Sequence, residues 1–367
     1  MKLLDRYIVK NFLSTFVFMT LLLSIIVVVI DLSQNISKLS DNGSTVMEAL
    51  TNYYPFFLLW IVNTFLPIAV FISAIYFTSR LANQTEFVAM NSGGMSFFRL
   101  TYPYLIVALI IGVLSFFVNH MWLPHANIYK NEYYYTYMQR ASREQEYFKG
   151  RPISSHISPT EYLFVHNYNR RTKNGNGFLY QRFDSVDTRR MVYQLRAHDL
   201  VWSDNDSVYT LNSYYERFIR PDRADSIHHG QRVTQKFNVS PDELLPEGYV
   251  AETMNSLELQ RFIEREKFKG SASINVYLNE LYQRTSLPFS AIILTLLALS
   301  LASVKRRGGL GLNLAIGTGI AFVYIFGNEA SKVFANVGDM PPLLAVWISN
   351  IVFGVVTLIL YIRRAYK

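Results

Sequence analysis

Cysteine is absent from the 367 residues, which excludes disulfide scaffolds, cysteine-ligated zinc, iron–sulfur clusters and thiol nucleophiles. It says nothing about compartment, because an oxidising space tolerates a cysteine-free chain. Charge is scarce: Asp, Glu, Lys and Arg supply 17% of the residues, against about 25% in ordinary soluble proteins. No G-x-x-x-x-G-K-[ST] occurs, so the chain has no P-loop cradle for ATP, and neither H-E-x-x-H nor G-x-S-x-G is present. The seven histidines are scattered, and the His228-His229 pair has no third ligand at suitable spacing. Gly308, Gly309, Gly311, Gly317 and Gly319 do not make a dinucleotide-binding G-x-G-x-x-G. An enzyme reading must therefore rest on residues that only folding brings together.

Apolar residues are abundant. They make up half of the chain, and 15% is aromatic. The mean hydropathy is nevertheless only +0.14, so very apolar segments alternate with polar ones. A bilayer core about 30 Å thick needs roughly 20 apolar residues per helix. Six runs qualify: Phe12 to Ile30, Tyr53 to Thr78, Leu100 to Leu123, Leu287 to Val304, Leu310 to Phe334 and Leu343 to Ile362. Pro55 and Pro67 interrupt the second. The first follows a basic leader, but it is too long for a signal peptide and Asp31-Leu-Ser-Gln-Asn replaces a cleavage site, so it reads as a retained helix.

Charge bias orients the spans. Lys2, Arg6, Lys10, Arg80, Arg99, Lys305, Arg306, Arg307, Arg363, Arg364 and Lys367 fall on one side, and outside the long middle segment only Lys38, Arg284 and Lys332 fall on the other. The positive-inside rule then places both termini in the cytoplasm and residues 124–270 outside. The net charge of +8 thus orients helices and does not argue for a nucleic-acid partner.

Residues 124–270 hold 21 of the 35 basic and 19 of the 27 acidic residues. Alternation over Tyr162 to His166, Phe178 to Phe183, Met191 to Trp202, Ser207 to Ile219 and Arg232 to Val239 predicts an antiparallel β domain, a sandwich or open roll. Turns are expected at Asn174-Gly-Asn-Gly and Asp204-Asn-Asp206. The apolar phase changes between Ala197 and Leu200, which predicts a bulge. Asn255 to Lys269 reads as helix. Tyr129, Tyr133, Tyr134, Tyr135 and Tyr137 cluster after the third span, where aromatic rings often form an interfacial belt; ligand stacking is the other reading.

Charges and small residues in the spans give the remaining candidates. Asp31 lies near the outer end of the first span, while Glu329 and Lys332 near the outer end of the fifth suit either a helical i, i+3 pair or a headgroup pathway. Gly311, Ala315 and Gly319 form a small-residue stripe that suits either tight packing or a mobile seam. Between the second and third spans, Asn83 and Glu86 have capping-box spacing, predicting a short helix that ends at Gly93-Gly94. Glu86 there is either the reciprocal cap or a docking carboxylate.

At this loop the chain resembles the LptF/LptG permease family, subunits of the lipopolysaccharide exporter of Gram-negative bacteria. The residues that carry the resemblance are Leu4-Asp-Arg-Tyr-Ile, Glu86-Phe-Val-Ala-Met-Asn-Ser-Gly-Gly-Met-Ser, Glu280-Leu-Tyr-Gln-Arg-Thr-Ser-Leu-Pro-Phe and Arg306-Arg-Gly-Gly, in that order around a β domain. The resemblance implies a bundle of six transmembrane helices in the bacterial inner membrane, with a periplasmic jelly-roll-like β domain inserted between helices 3 and 4. The corresponding divisions are residues 1–123, with a coupling helix at about 83–96, then 124–270 and 271–367.

It also implies a non-catalytic half-transporter. Its partners would be a dimer of a separate ATPase, LptB, a second LptF/LptG-family permease, an LptC-like periplasmic jelly-roll protein, lipopolysaccharide and membrane lipids. ATP and magnesium would act through the ATPase, and this chain would bind no cofactor. Glu86, with Ala89, Gly93, Gly94 and Ser96, would form the ATPase-coupling element. Helices one and five would be lateral gates, making Asp31, Lys38, Gly311, Ala315, Gly319, Glu329 and Lys332 lipid-path or gate candidates. Two departures stand out: Lys38 is the only basic residue near the outer end of helix one, and Asn91 replaces a common basic residue in the coupling helix. The opening motif is closer to the LptG branch. Other readings are a membrane enzyme using a group such as His120, His125 or Asp31 on lipid or envelope precursors, and a structural anchor or sensor.

Overall fold

The computed structural model describes residues 3–139, 151–169, 172–187, 189–203, 208–220, 223–237, 239, 250–268, 273–304 and 309–366. Lys305 to Gly308 of the fourth-to-fifth loop, Asp204 to Asp206, Lys2 and Lys367 lie outside the described residues. Two compact units result: Met1–Tyr134 with Ala251–Leu259 and Asn275–Lys367, and Tyr135–Val250 with Gln260–Ile274.

The first unit is helical. Its aliphatic runs form α1 (Leu3–Asp41), α4 (Leu66–Asn83), α6 (Phe97–Phe117), α10 (Ile274–Ala302), α11 (Gly309–Val337) and α12 (Pro342–Ala365). These six, with α6 continuing to Met138, are long and apolar enough to cross a membrane. At 39 residues, α1 is about 58 Å long, well beyond a hydrocarbon core. The second apolar run is two helices, α3 (Tyr54–Thr64) and α4, separated at Phe65. The prolines explain this: Pro55 and Pro67 each occupy a first turn, where the missing N–H is no loss, so each starts a helix instead of kinking one. Short helices α2 (Val46–Asn52) and α5 (Glu86–Ser92) fill two loops. A π-turn at Val118–Trp122 leads from α6 into α7 (Leu123–Tyr133).

The core packs α4, α6 and α10 most deeply, around Phe12, Phe71, Tyr104 and Leu294. Tyr53 stacks on Tyr133 and Tyr134 at 5.7 and 6.4 Å, and Phe56 stacks on Tyr129 at 4.9 Å. Tyr133 is buried, so these members of the tyrosine cluster are tied into the packing of the bundle.

The described strands of the second unit form one antiparallel sheet in sequential order: β1 (Arg151–Ser158), β2 (Glu161–Asn169), β3 (Asn174–Phe183), β4 (Met191–Ser203), β5 (Val208–Phe218) and β6 (Ser226–Gln235). Leu163, Val165, Phe178, Leu195 and Leu211 line its core face. Phe237 and Val239 are not a continuation of β6. They curl over that core, with Phe237 5.5 Å from Phe178 and the Tyr209 hydroxyl donating to the Val239 carbonyl at 3.2 Å. Helices α8 (Val250–Thr253) and α9 (Ser256–Phe268) follow, and α9 begins with a formed capping box between Asn255 and Glu258.

The expected bulge between Ala197 and Leu200 does not form, since β4 keeps unbroken register with both neighbours there. The change of face is instead shared across the sheet. Buried positions switch phase between Val165 and Tyr168 in β2 as well as between Ala197 and Leu200 in β4. At the same level Gly177 in β3 and Ser213 in β5 adopt left-handed backbone (φ 67° and 50°). A left-handed residue turns the following side chains to the other face without inserting a residue. Gly177 suits this: a Cβ there would lie 2.7 Å from the His166 Cβ. Gly177→Val is expected to destabilise the β domain by about 1–3 kcal/mol, whereas Ser213→Gly should leave it equal or more stable. Thermal unfolding with limited proteolysis of the purified chain checks both, and an unchanged transition for Gly177→Val would refute the account.

Candidate functional site

The loop between α4 and α6 is built from one buried anchor and one outward face. In α5, Phe87 is 2% exposed, and Met90 packs against the same core. Val88, Ala89, Asn91, Ser92, Gly93 and Gly94 are exposed. The predicted Asn83–Glu86 capping box does not form. Asn83 is the last residue of α4, so its backbone is helical and unsuited to an N-cap. Thr85 takes that place with left-handed backbone (φ 62°) and no side-chain cap. Glu86 instead accepts a hydrogen bond from the Tyr7 hydroxyl at 3.3 Å. The expected end is seen: Gly93 is the C-cap and Gly94 has φ 82°. Ser96 caps α6 by accepting from the Arg99 N–H at 3.3 Å. Arg99 in turn makes a two-pronged ion pair with buried Asp5, both contacts 2.8 Å. The N-terminal Asp5 and Tyr7 thus hold opposite ends of the loop.

A second feature lies among α1, α3, α4 and α11. An apolar cavity of about 290 Å³ is lined by Leu23, Val27, Ile61, Phe65, Ile72 and Phe322, among others. The break at Phe65 opens directly onto it. On α11, Gly311, Ala315 and Gly319 are all exposed, and a Cβ added at either glycine would meet nothing within 4 Å. The stripe is therefore not intramolecular packing. The close approach is made by Gly317, where a Cβ would lie 2.4 Å from the Ile75 Cδ1.

Comparison with known proteins gives this arrangement its family. A model of the lipopolysaccharide export system permeases LptF/LptG matches residues 6–363. The chain belongs to the LptF/LptG permease family. A curated relative, the lipopolysaccharide export system permease protein LptG of Haemophilus influenzae, is 22% identical over 365 residues, covering 95% of each chain. As an LptF/LptG permease, the chain is a multi-pass membrane protein of a family of export components, not of catalytic enzymes.

The remaining charged candidates of this LptF/LptG permease are held in local networks. Asp31 accepts from the Tyr54 hydroxyl at 3.1 Å and from Asn35 at 3.2 Å, while Lys38 donates to Asn35 at 3.3 Å. Glu329 and Lys332 form the i, i+3 ion pair at 2.6 Å, and Lys332 also reaches Gln283 at 3.2 Å. His120 lies 2.7 Å from the Ser256 hydroxyl, in a hydrogen-bond network separate from that of Asp31 and Tyr54.

Charge-centred reading overlooked the asparagines. Asn63 and Asn119 exchange reciprocal amide hydrogen bonds at 2.8 Å, joining α3 to the π-turn after α6. Asn313 reaches Ser79 between α11 and α4, and Asn350 links the Tyr324 hydroxyl to the Ser286 carbonyl. Their signal was visible: neutral amides within apolar runs, which a bilayer tolerates only when they bond across helices. Arg284, inside the Glu280 motif, is also structural. Buried, it donates to the Met254 and Ala251 carbonyls at 2.8 and 2.9 Å and pairs with Glu280 at 3.2 Å. Nearby, burial raises the Glu252 carboxyl above its ordinary pKa, and Lys130 at 3.7 Å opposes the shift.

Asn119→Leu leaves the Asn63 Nδ2 without its acceptor, while Ser115 still donates to the Asn63 Oδ1 at 3.3 Å, and should cost about 1–2 kcal/mol. The N63L/N119L double variant should cost less than the sum of the two single changes. Melting of the four proteins in detergent tests this, and strictly additive losses would argue that the two amides act independently.

Proposed function

We propose that this chain is a non-catalytic permease subunit of an ATP-driven transporter that extracts lipopolysaccharide from the inner membrane and passes it to a periplasmic bridge. The observation that carries this reading is α5: a short helix fixed by buried Phe87, showing a face of small residues beside a carboxylate. A rigidly backed patch of this kind suits docking of a cytoplasmic ATPase dimer, the LptB of the family. Ala89, Gly93 and Gly94 would allow close approach and Glu86 would supply the charged contact. Because Asp5 and Tyr7 grip the same loop, a push on α5 would reach α1 directly. Both termini are then cytoplasmic and the β domain is periplasmic, in keeping with the basic residues at the terminal end of the bundle.

The lipid would enter beside α1 and α11. The cavity at the Phe65 break is apolar and bordered by both helices, so it suits acyl chains. The outward stripe of Gly311, Ala315 and Gly319 suits a seam with a helix of a second LptF/LptG-family permease. An LptC-like periplasmic protein would receive the lipid. ATP and magnesium would belong to the ATPase. Asp31, Lys38, Glu329 and Lys332 are assigned chiefly to holding the outer ends of α1 and α11, since each already has a local partner.

Glu86→Ala should lower lipopolysaccharide release from reconstituted vesicles at least tenfold, about 1.4 kcal/mol of coupling, through weaker ATPase docking or uncoupled hydrolysis. Normal assembly together with normal release would sink the coupling role. Gly319→Leu should leave the melting temperature of the isolated chain unchanged, because none of the described residues lies within 4 Å of a Cβ there, yet impair release by the complex. Full transport by this variant would remove the stripe from the gate.

A further inference from the structure

The outer face of the β sheet carries a polar trough that transport by the helical unit does not explain. Across four strands, the register places Asn167, Asn176, Asp199 and Asn212 side by side in one row, and Asn169 opposite Asn174 in the next. Together they line a cavity of about 410 Å³, within the roughly 300–1,000 Å³ of small-molecule sites. The row lies just past the level of Gly177 and Ser213, where the faces exchange, so these side chains point away from the hydrophobic core. Asparagine is a poor strand former, yet five of them fall on this one patch. Core packing gives no reason for them there.

Their chemistry narrows the ligand. Each amide offers two donors and an acceptor, which matches the mixed donor and acceptor character of adjacent hydroxyl groups. The Asp199 carboxylate adds acceptors and is itself held 2.9 Å from His198 Nδ1, while the Thr172 N–H donates to Asn169 Oδ1 at 3.1 Å and orients that amide. Among the described residues no group of three or more His, Asp or Glu is placed to hold a metal. The trough is thus a largely neutral, hydrogen-bonding surface, unlike a basic phosphate site or an apolar acyl groove.

We propose that this trough binds a saccharide. Resting on the transport reading above, its ligand is the sugar portion of the exported glycolipid, held on the outside of the domain. The glycan of the cell wall presents the same hydroxyl chemistry and is the other source. Purified full-length chain in nanodiscs would be titrated with core oligosaccharide freed of lipid by mild acid, and separately with soluble cell-wall glycan chains, using saturation-transfer NMR. Binding of either is expected, and the arm that binds identifies the source. The N176L/N212L variant should weaken it about tenfold or more, the loss of two hydrogen bonds. Asn176→Ala, which only truncates an exposed side chain, should weaken it about threefold.

Absence of binding by both glycans overturns the proposal. So does binding that survives N176L/N212L and Asn176→Ala. Glycan binding alongside a complex that releases no lipopolysaccharide from reconstituted vesicles would sink the transport reading and leave the trough standing. Glu86-dependent transport without glycan binding would do the reverse.

Discussion

A polar group within hydrocarbon has to find its partner inside the protein, and the helical unit is organised by that constraint. Splitting the second apolar run at Phe65 interrupts the helical hydrogen-bond ladder in the middle of the bundle. The neighbouring Asn63 is met there by Asn119 at 2.8 Å, and the π-turn that contains Asn119 belongs to the same joint. Asn313 and Asn350 repeat the device between other helices. Neutral amides hold these contacts without the larger desolvation cost of ions. The charged pairs Asp5–Arg99 and Glu329–Lys332 sit near helix ends.

That scaffold leaves three features unspent. One is the outward face of α5, braced from behind by Phe87. Another is the small-residue stripe of α11, where the chain's own atoms leave open space. The third is the cavity beside the Phe65 break. In a protein alone, exposed apolar and small surfaces along α1 and α11 have no internal explanation, but they are what a multi-pass protein in contact with lipid presents. The same economy appears in the sheet, whose core face is filled by aliphatic and aromatic residues while its far outer face is given to amides.

Much of this architecture was legible from the chain itself. Six runs of apolar residues predicted six spans because bilayer thickness sets helix length, and alternation predicted most of the strands. The Leu4-Asp-Arg-Tyr and Glu86 motifs pointed to the family that the whole-chain match then established. The misreadings were local, and the turn expected at Asn174-Gly-Asn-Gly is one of them, since those residues begin β3. Asn83 and Glu86 had the spacing of a capping box, as Asn255 and Glu258 did, but only the second box forms, because α4 runs on through Asn83. The phase change at Ala197 was read as an inserted residue, whereas left-handed Gly177 and Ser213 on the adjacent strands mark the level where the whole sheet turns over.

Composition, periodicity and charge bias therefore determined the class of the protein, its span count and its sheet, since each follows from local preference and from the solvent that each segment meets. Which asparagines meet, which glycine is packed and which is open, and that Tyr7 reaches Glu86, were decided only by the tertiary structure. These pairs join residues as far apart as Asn313 and Ser79, and no local rule specifies the partner that a buried polar group or a bare helix face will find.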